Sequence, residues 1–206
     1  NPSEERDHAV TWRDFSLIES ANPDAPYRRA LSWKDFDRRA NRIANLLLSR
    51  GLERGTKVGI LLMNCLEWLP LYFGILKAGC VAVERMDAIA DDLPGVRMMF
   101  FIGPDKPAYT EDCCRLMGFC SSSAPPVALE EEDYAAIYFS SGTTGFPKAI
   151  LHNHRALVSS CQTEQNHHGQ TRKDVFLCIP PLYHTGAKMH WFGSLISGSK
   201  AVLLRG

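Results

Sequence analysis

The chain has 206 residues, 45% of them hydrophobic, with 23 basic residues balanced by 23 acidic ones. That is enough apolar material for a substantial core, in one large domain or two small ones. With zero net charge and no basic run longer than a pair, the composition excludes electrostatic capture of nucleic acid or of an anionic membrane. In chain order, Asn1 to Arg6 is polar, without the apolar core of a secretory leader. Ser32 then caps a predicted helix whose apolar positions Phe36, Ala40, Ile43, Ala44 and Leu47 recur at helical spacing, and Gly51 ends it. Lys57 to Leu62 reads as a strand. Glu67 to Lys77 reads as a helix with Trp68, Leu71, Tyr72 and Ile75 on one face, and Gly79 leads into a strand from Cys80 to Val83, which makes a βαβ unit.

Further along, Met86 to Leu93 is expected as a short helix, Pro94-Gly95 as a turn and Val96 to Ile102 as a strand. Ser121 to Pro126 and the acidic run Glu130 to Asp133 read as a solvated surface connection. Tyr134 to Phe139 is a strand that feeds a glycine-rich segment. After it, Asn153 caps a helix to about Gln165, Val175 to Cys178 returns as a strand, Met189 to Ile196 is helical until Gly198, and Lys200 to Leu204 is the last strand. Strands alternating with helices imply α/β layers with much parallel sheet, where ligands bind at the carboxyl ends of strands. The strongest apolar run, Leu69 to Leu76, stops at Lys77, so no integral membrane segment is expected.

The glycine-rich segment is Tyr-Phe-Ser-Ser-Gly-Thr-Thr-Gly-Phe-Pro-Lys-Ala-Ile, Tyr138 to Ile150. Gly142 and Gly145 allow close approach of the backbone to an anion, Ser140, Ser141, Thr143 and Thr144 offer hydroxyl donors, and Lys148 supplies a point charge. This is the make-up of a polyphosphate cradle. It is not a Walker A loop, because Pro147 stands where the second glycine belongs and Ala149 where the magnesium-binding hydroxyl belongs. The residues after the lysine, Ala149, Ile150 and Leu151, favour a strand, so the cradle is read as strand-loop-strand. An ordinary polar hairpin turn would use the same small residues.

Ser140-Ser141-Gly142-Thr143-Thr144-Gly145-Phe146-Pro147-Lys148 closely resembles the signature of the adenylate-forming superfamily, which includes acyl- and aryl-CoA synthetases, luciferases and peptide-synthetase adenylation domains. Ala149 departs from the usual glycine by one methyl group. Three further stretches resemble motifs of the same family in the same order: Leu31 to Phe36, Leu76 to Val83, and Pro181-Leu182-Tyr183-His184-Thr185-Gly186, the loop that opens the acyl pocket. Their company argues against the plain hairpin turn.

The resemblance implies a fold and a chemistry. The fold is α/β, part of the large N-terminal domain of an adenylate-forming enzyme, with layered βαβ sheets flanked by helices. The activity implied is that of a carboxylic acid–CoA ligase: a carboxylate attacks the α-phosphate of ATP, pyrophosphate leaves, and the acyl group of the acyl-adenylate passes to the thiol of coenzyme A. ATP, Mg2+ and coenzyme A are the implied cofactors, and a small-molecule carboxylic acid is the partner. Ser140, Ser141, Gly142, Thr143, Thr144, Gly145 and Lys148 are the expected ATP-binding residues, with Lys148, Thr143 and Thr144 acting in catalysis. His184, Thr185 and Gly186 are the expected acyl-pocket residues. Amino-acid-activating members tend to carry aspartate after the gating aromatic, whereas this chain has Thr185, which favours a fatty or aromatic acid.

Against the family pattern, the chain passes from Val83 directly to Glu84-Arg85-Met86-Asp87, where a proline-led segment is expected, so a segment is expected to be missing between 83 and 84. Residues 1–206 are accordingly read as an incomplete N-terminal domain, inactive by itself. Two other classes stay open: a P-loop-like nucleotide hydrolase, and a noncatalytic nucleotide- or acyl-binding module. No metal-ligand set is expected. His152 and His154 lack acidic or cysteine partners at ligand spacing, His167-His168 suit a helix end, and His190 is expected in the core beside Trp191 and Phe192. The cysteines Cys65, Cys80, Cys113, Cys114, Cys120, Cys161 and Cys178 are odd in number and lack zinc-type pairs, so most are expected to be small buried hydrophobes in a reducing, cytoplasmic setting.

Overall fold

The computed structural model describes residues 31–84, 96–103, 106–140 and 148–203, with the backbone alone at 13–14, 84, 185–187 and 190. In chain order the elements are β1 (Arg13–Asp14), α1 (Trp33–Ser49), β2 (Lys57–Ile60), α2 (Trp68–Lys77), β3 (Val81–Glu84), β4 (Phe100–Phe101), β5 (Glu111–Asp112), α3 (Cys113–Gly118), β6 (Tyr134–Ser140), β7 (Lys148–Asn153), α4 (His154–His167), β8 (Val175–Cys178), α5 (Thr185–Ser197) and β9 (Lys200–Leu203). One sheet has the order β2-β3-β6-β7, a second β1-β9-β8, and a two-stranded ladder joins β4 to β5. Every pairing is parallel except β6 with β7. The expected layered α/β architecture is therefore present.

α1 starts where its cap dictates. The Asp35 backbone N–H donates to Ser32 Oγ at 3.1 Å, which satisfies one of the open N–H groups of the first turn, and Ser32 Oγ donates to Asp35 Oδ2 at 2.8 Å. Its apolar stripe, Phe36, Ala40, Ile43, Ala44 and Leu47, is buried. Gly51 follows at φ 75°, the left-handed geometry that stops a helix at low cost for glycine. The stripe meets α2 at very short range, because a side chain at Gly74 would place its Cβ 2.5 Å from Ile43 Cγ2. Trp68, Leu69, Tyr72 and Ile75 of α2 are fully covered, and burying each aliphatic side chain contributes about 1.5–3 kcal/mol. Leu71, expected on the same face, is only partly buried.

Several boundaries differ from the sequence reading. β2 stops at Ile60, opposite Glu84, the last described residue of β3. Within the expected strand Val96 to Ile102 only Phe100–Phe101 forms a ladder, because its partner β5 is two residues long before Asp112 caps α3. α3 has no counterpart in the sequence reading. It is held from α1, where the Arg42 guanidinium donates to the carbonyls of Met117, Gly118 and Cys120 at 3.2, 2.9 and 3.1 Å. The Ser121 to Pro126 connection is at the surface, as expected, but anchored: Asn41 donates to the Ser122 carbonyl at 3.0 Å and Asn45 to those of Ser121 and Ser123 at 2.9 and 3.0 Å. The expected helix Met86 to Leu93 and turn Pro94-Gly95 lie outside the described residues.

Candidate functional site: a hairpin mouth and a helix start

β6 and β7 form an antiparallel hairpin whose register runs from Tyr134 opposite Asn153 to Ser140 opposite Lys148. The two strands of the strand-loop-strand reading are thus present, and β6 is the third strand of a parallel run after β2 and β3. Ser140 is the last residue of β6 and partly buried, while Lys148 opens β7 and is exposed. These two candidate residues face each other across the mouth of the loop. Ser141, Gly142, Thr143, Thr144 and Gly145 lie outside the described residues.

The second candidate set sits where β8 turns into α5. His184 is exposed and occupies the N-cap position, and its backbone N–H donates to the Pro181 carbonyl at 2.9 Å. Thr185 and Gly186, expected in a loop, are the first two residues of α5, which starts four residues ahead of the expected Met189. Gly186 and Ala187 are small, and the N–H groups of a first turn need no intrahelical partner, so the helix extends back to His184. Gly198 ends it at φ 69°, as expected.

Two residues that carry no sequence signature hold these parts in place. The buried Asn64 amide donates to the Pro180 carbonyl at 3.1 Å and accepts from the Leu182 N–H at 2.7 Å, so the segment after β2 fixes the approach to His184. Lys188, one helical turn beyond His184, is completely covered. Its Nζ lies 3.9 Å from the centroid of the Tyr138 ring and 5.6 Å from those of Trp68 and Tyr72. Burial pushes its pKa well below the ordinary 10.5, and the negative ring faces offset part of that desolvation. Tyr138 Oη and Tyr72 Oη are 2.8 Å apart, and burial raises both phenols above their usual range. α5 is thereby in direct contact with the strand that feeds the cradle. The one available hint in the sequence is a lysine inside an otherwise apolar helix.

The histidines and cysteines fall as follows. His152 packs its ring 5.0 Å from that of Tyr138, and His154 starts α4 rather than continuing the strand, its N–H bonded to the Asp133 carbonyl at 3.1 Å. Burial lowers the His154 pKa. His168, just past the α4 C-terminus, lies 3.3 Å from Glu164. The His190 side chain lies outside the described residues, while Trp191 and Phe192 are in the core as expected. Cys80, Cys113, Cys161 and Cys178 are buried, and burial pushes the thiols of the last three up to about 12. Among the described residues no group of three His, Cys, Asp or Glu side chains could hold a metal ion, so no magnesium ligands are assigned. No helix among them is long and apolar enough to cross a membrane.

The sequence profile of the AMP-binding enzyme family matches residues 19–92 and 103–206, most of the chain. The chain belongs to the AMP-binding enzyme family. Among its relatives, a linear gramicidin synthase of Brevibacillus parabrevis is 31% identical over 196 residues, which is 85% of this chain and 4% of the synthase polypeptide. The long-chain-fatty-acid–CoA ligase FadD13 of Mycobacterium tuberculosis is 23% identical over 183 residues, 76% of this chain and 36% of the ligase. In structure, ATP-bound MatB from Rhodopseudomonas palustris matches with a TM-score of 0.73 at 23% identity, over 85% of this chain and 40% of MatB. The chain thus spans less than half the length of each of these relatives. Its architecture is that of the N-terminal domain of adenylate-forming enzymes, and the hairpin mouth lies within the stretch that the AMP-binding family profile covers.

Proposed function

We propose that the complete protein is a carboxylic acid–CoA ligase that activates a fatty or aromatic acid with ATP and then transfers the acyl group to coenzyme A. The observation that carries this reading is the hairpin mouth, where Ser140 and Lys148 stand in register at the end of β6 in a chain of the AMP-binding family. In the proposed first step a carboxylate oxygen attacks the α-phosphorus of ATP, the bond to the β-phosphate oxygen breaks, and pyrophosphate leaves with its electron pair. Both reactants are anions, so fixed donors and countercharge must be in place before they meet. Ser140, Ser141, Gly142, Thr143, Thr144 and Gly145 grip the β- and γ-phosphates in this reading, and Lys148 neutralises the departing pyrophosphate. Magnesium adds countercharge when bound. His184, Thr185 and Gly186 line the acyl entrance, where an imidazole can both pack and donate a hydrogen bond.

The choice of a fatty or aromatic acid rests on Thr185, which offers no carboxylate to a substrate ammonium. A second reading, activation of an amino acid, is favoured by the 31% identity to the gramicidin synthase. ATP–pyrophosphate exchange with a panel of fatty, aryl and amino acids, followed by mass detection of CoA thioesters, tests the two. Exchange with fatty or aryl acids and a thioester product is the expected result; exchange with amino acids alone overturns it in favour of the second reading. ATP binding by calorimetry without exchange for any acid would indicate a noncatalytic module instead, and acid-independent ATP hydrolysis a hydrolase. The proposal includes a segment missing between Val83 and Glu84, which the sequence of the gene checks. It also includes a reducing, cytoplasmic setting, supported by the buried thiols of Cys80, Cys113, Cys161 and Cys178 and checked by fractionation.

A further inference from the structure

Tyr138 is the last buried residue of β6, since Phe139 and Ser140 after it are only partly covered. Its hydroxyl lies 2.8 Å from that of Tyr72, a fully buried residue of α2. Its ring meets the His152 ring of β7 at 5.0 Å, so one side chain joins α2 to both strands of the hairpin. Tyr138 also stands two residues before Ser140, hence on the same face of β6. A pair of hydroxyls is a costly filling for a core. Two phenylalanines would occupy the same space with no polar atom to desolvate, and replacing both partners of a buried hydrogen bond by apolar groups of the same shape is close to neutral for stability. What the pair adds is direction. Apolar contact is non-directional, so two ring edges can slide past each other, whereas a hydrogen bond holds one separation and one angle. Burial raises both phenols above their usual range, so each keeps its proton and the contact is a neutral donor-acceptor pair.

We propose that the Tyr72–Tyr138 hydroxyl bond is a positioning contact, which fixes the end of β6 against α2 and so sets Ser140 and the glycine-rich segment where the phosphates are held for attack. Both tyrosines are buried, so they act through the strand and not on substrate. The inference rests on the ligase reading above, in which that segment grips ATP. A slightly displaced donor still binds its phosphate but stabilises the transition state less well, so the chemical step suffers more than binding.

The test is Tyr72→Phe, Tyr138→Phe and the double variant in the complete protein. Each change removes one oxygen and keeps the ring contacts with Trp68, Phe192 and His152 and the place of the Tyr138 ring under Lys188. A single variant leaves the other hydroxyl buried without its partner, so its urea midpoint should fall, and the double variant should recover most of that loss. Pyrophosphate exchange with the best acid, measured well below the unfolding transition, should not recover with it. The expected kcat is about three- to thirtyfold low in all three variants, the range for residues that act on a site without touching its ligand. KM for the acid should change less than about twofold, because the acyl entrance is built on other elements. A merely structural pair would leave the kcat of the folded enzyme intact. A double variant with kcat within about twofold of wild type therefore overturns the proposal, and so do single losses that multiply in the double variant. Should the wild-type protein give no exchange with any acid, the ligase reading has failed, and hydrogen–deuterium exchange still decides the contact. Faster exchange of Tyr134–Ser140 than of Cys113–Gly118 in the double variant, relative to wild type, supports it. Unchanged exchange in Tyr134–Ser140, or equal acceleration of the two segments, overturns it.

Discussion

The two ends of the β6–β7 hairpin are built from different materials. At the open end three carboxylates of the acidic run are matched: Asp133 pairs with Arg54, and Arg155 reaches Glu131 at 3.2 Å and Glu132 at 2.6 Å. Asn153 caps α4 by accepting from the Ala156 N–H at 2.9 Å, and its amide donates to Glu132 at 2.8 Å. The acidic run, read from sequence as a solvated face, is exposed from Glu130 to Glu132, and its last three residues pair with Arg54 and Arg155. At the closed end, Ser140 and Lys148 flank the glycine-rich segment, and among the described residues no carboxylate pairs with Lys148. One end pairs most of its charges within the chain and holds the hairpin in place. The other presents a cation at the mouth of a loop rich in donors, the arrangement that suits an anion brought from outside.

The largest effect expected from this contrast is at Lys148. A hydrogen bond to a charged group contributes about 1.5–3 kcal/mol, so Lys148→Ala should slow pyrophosphate exchange about ten- to a hundredfold in the complete protein. Because the side chain is exposed, stability should shift by less than about 0.5 kcal/mol. An unchanged rate would remove Lys148 from the mechanism, and a large loss of stability would erase the distinction between the two ends.

The next effect belongs to the open end and should have the opposite profile. Asn153→Ala deletes the cap of α4 and should lower stability by about 0.5–2 kcal/mol, read in a urea titration, with exchange activity kept within about twofold. Asn153→Asp should restore most of the loss, since a carboxylate also accepts from the first turn and suits the helix dipole. If Asn153→Ala instead abolished exchange at unchanged stability, the open end would belong to the site.

The contrast also explains what the sequence could disclose. Local chemistry was legible: the caps Ser32 and Asn153, the stop at Gly198, and a hairpin whose residues after Lys148 are apolar and partly β-branched all act within a few positions of the structure they specify. α3 was not, because a six-residue helix has no periodicity to read and is held by Arg42 and its carbonyl partners from α1. In the site, Asn64 and Lys188 were invisible for a similar reason. The bonds of Asn64 reach residues 116 and 118 positions away, and Lys188 has meaning only once α2, β6 and α5 have packed.

The smallest predicted effect is a pH signature confined to the open end. The Arg54 hydrogen bond holds the Asp133 carboxyl below its ordinary 3.8, so the stability it contributes is fully present above that value and is lost as pH falls through the lowered one. His154 behaves differently, because burial lowers its pKa from 6.5 and the unfolded chain takes up the proton first. Stability is therefore lost as pH falls below 6.5 and levels off once the folded form also protonates. Urea midpoints measured across pH should show the His154 phase first and the Asp133 phase at more acid pH. His154→Gln should delete the upper phase and make the lower one shallower, since the protonated imidazole helps to hold the Asp133 carboxyl down. Asp133→Asn should delete the lower phase and deepen the upper one, since the Asp133 charge favours the protonated imidazole and its removal lowers the His154 pKa further. Lys148→Ala should leave both phases where they are, and a shift of either by that variant would show the two ends of the hairpin to be electrostatically coupled.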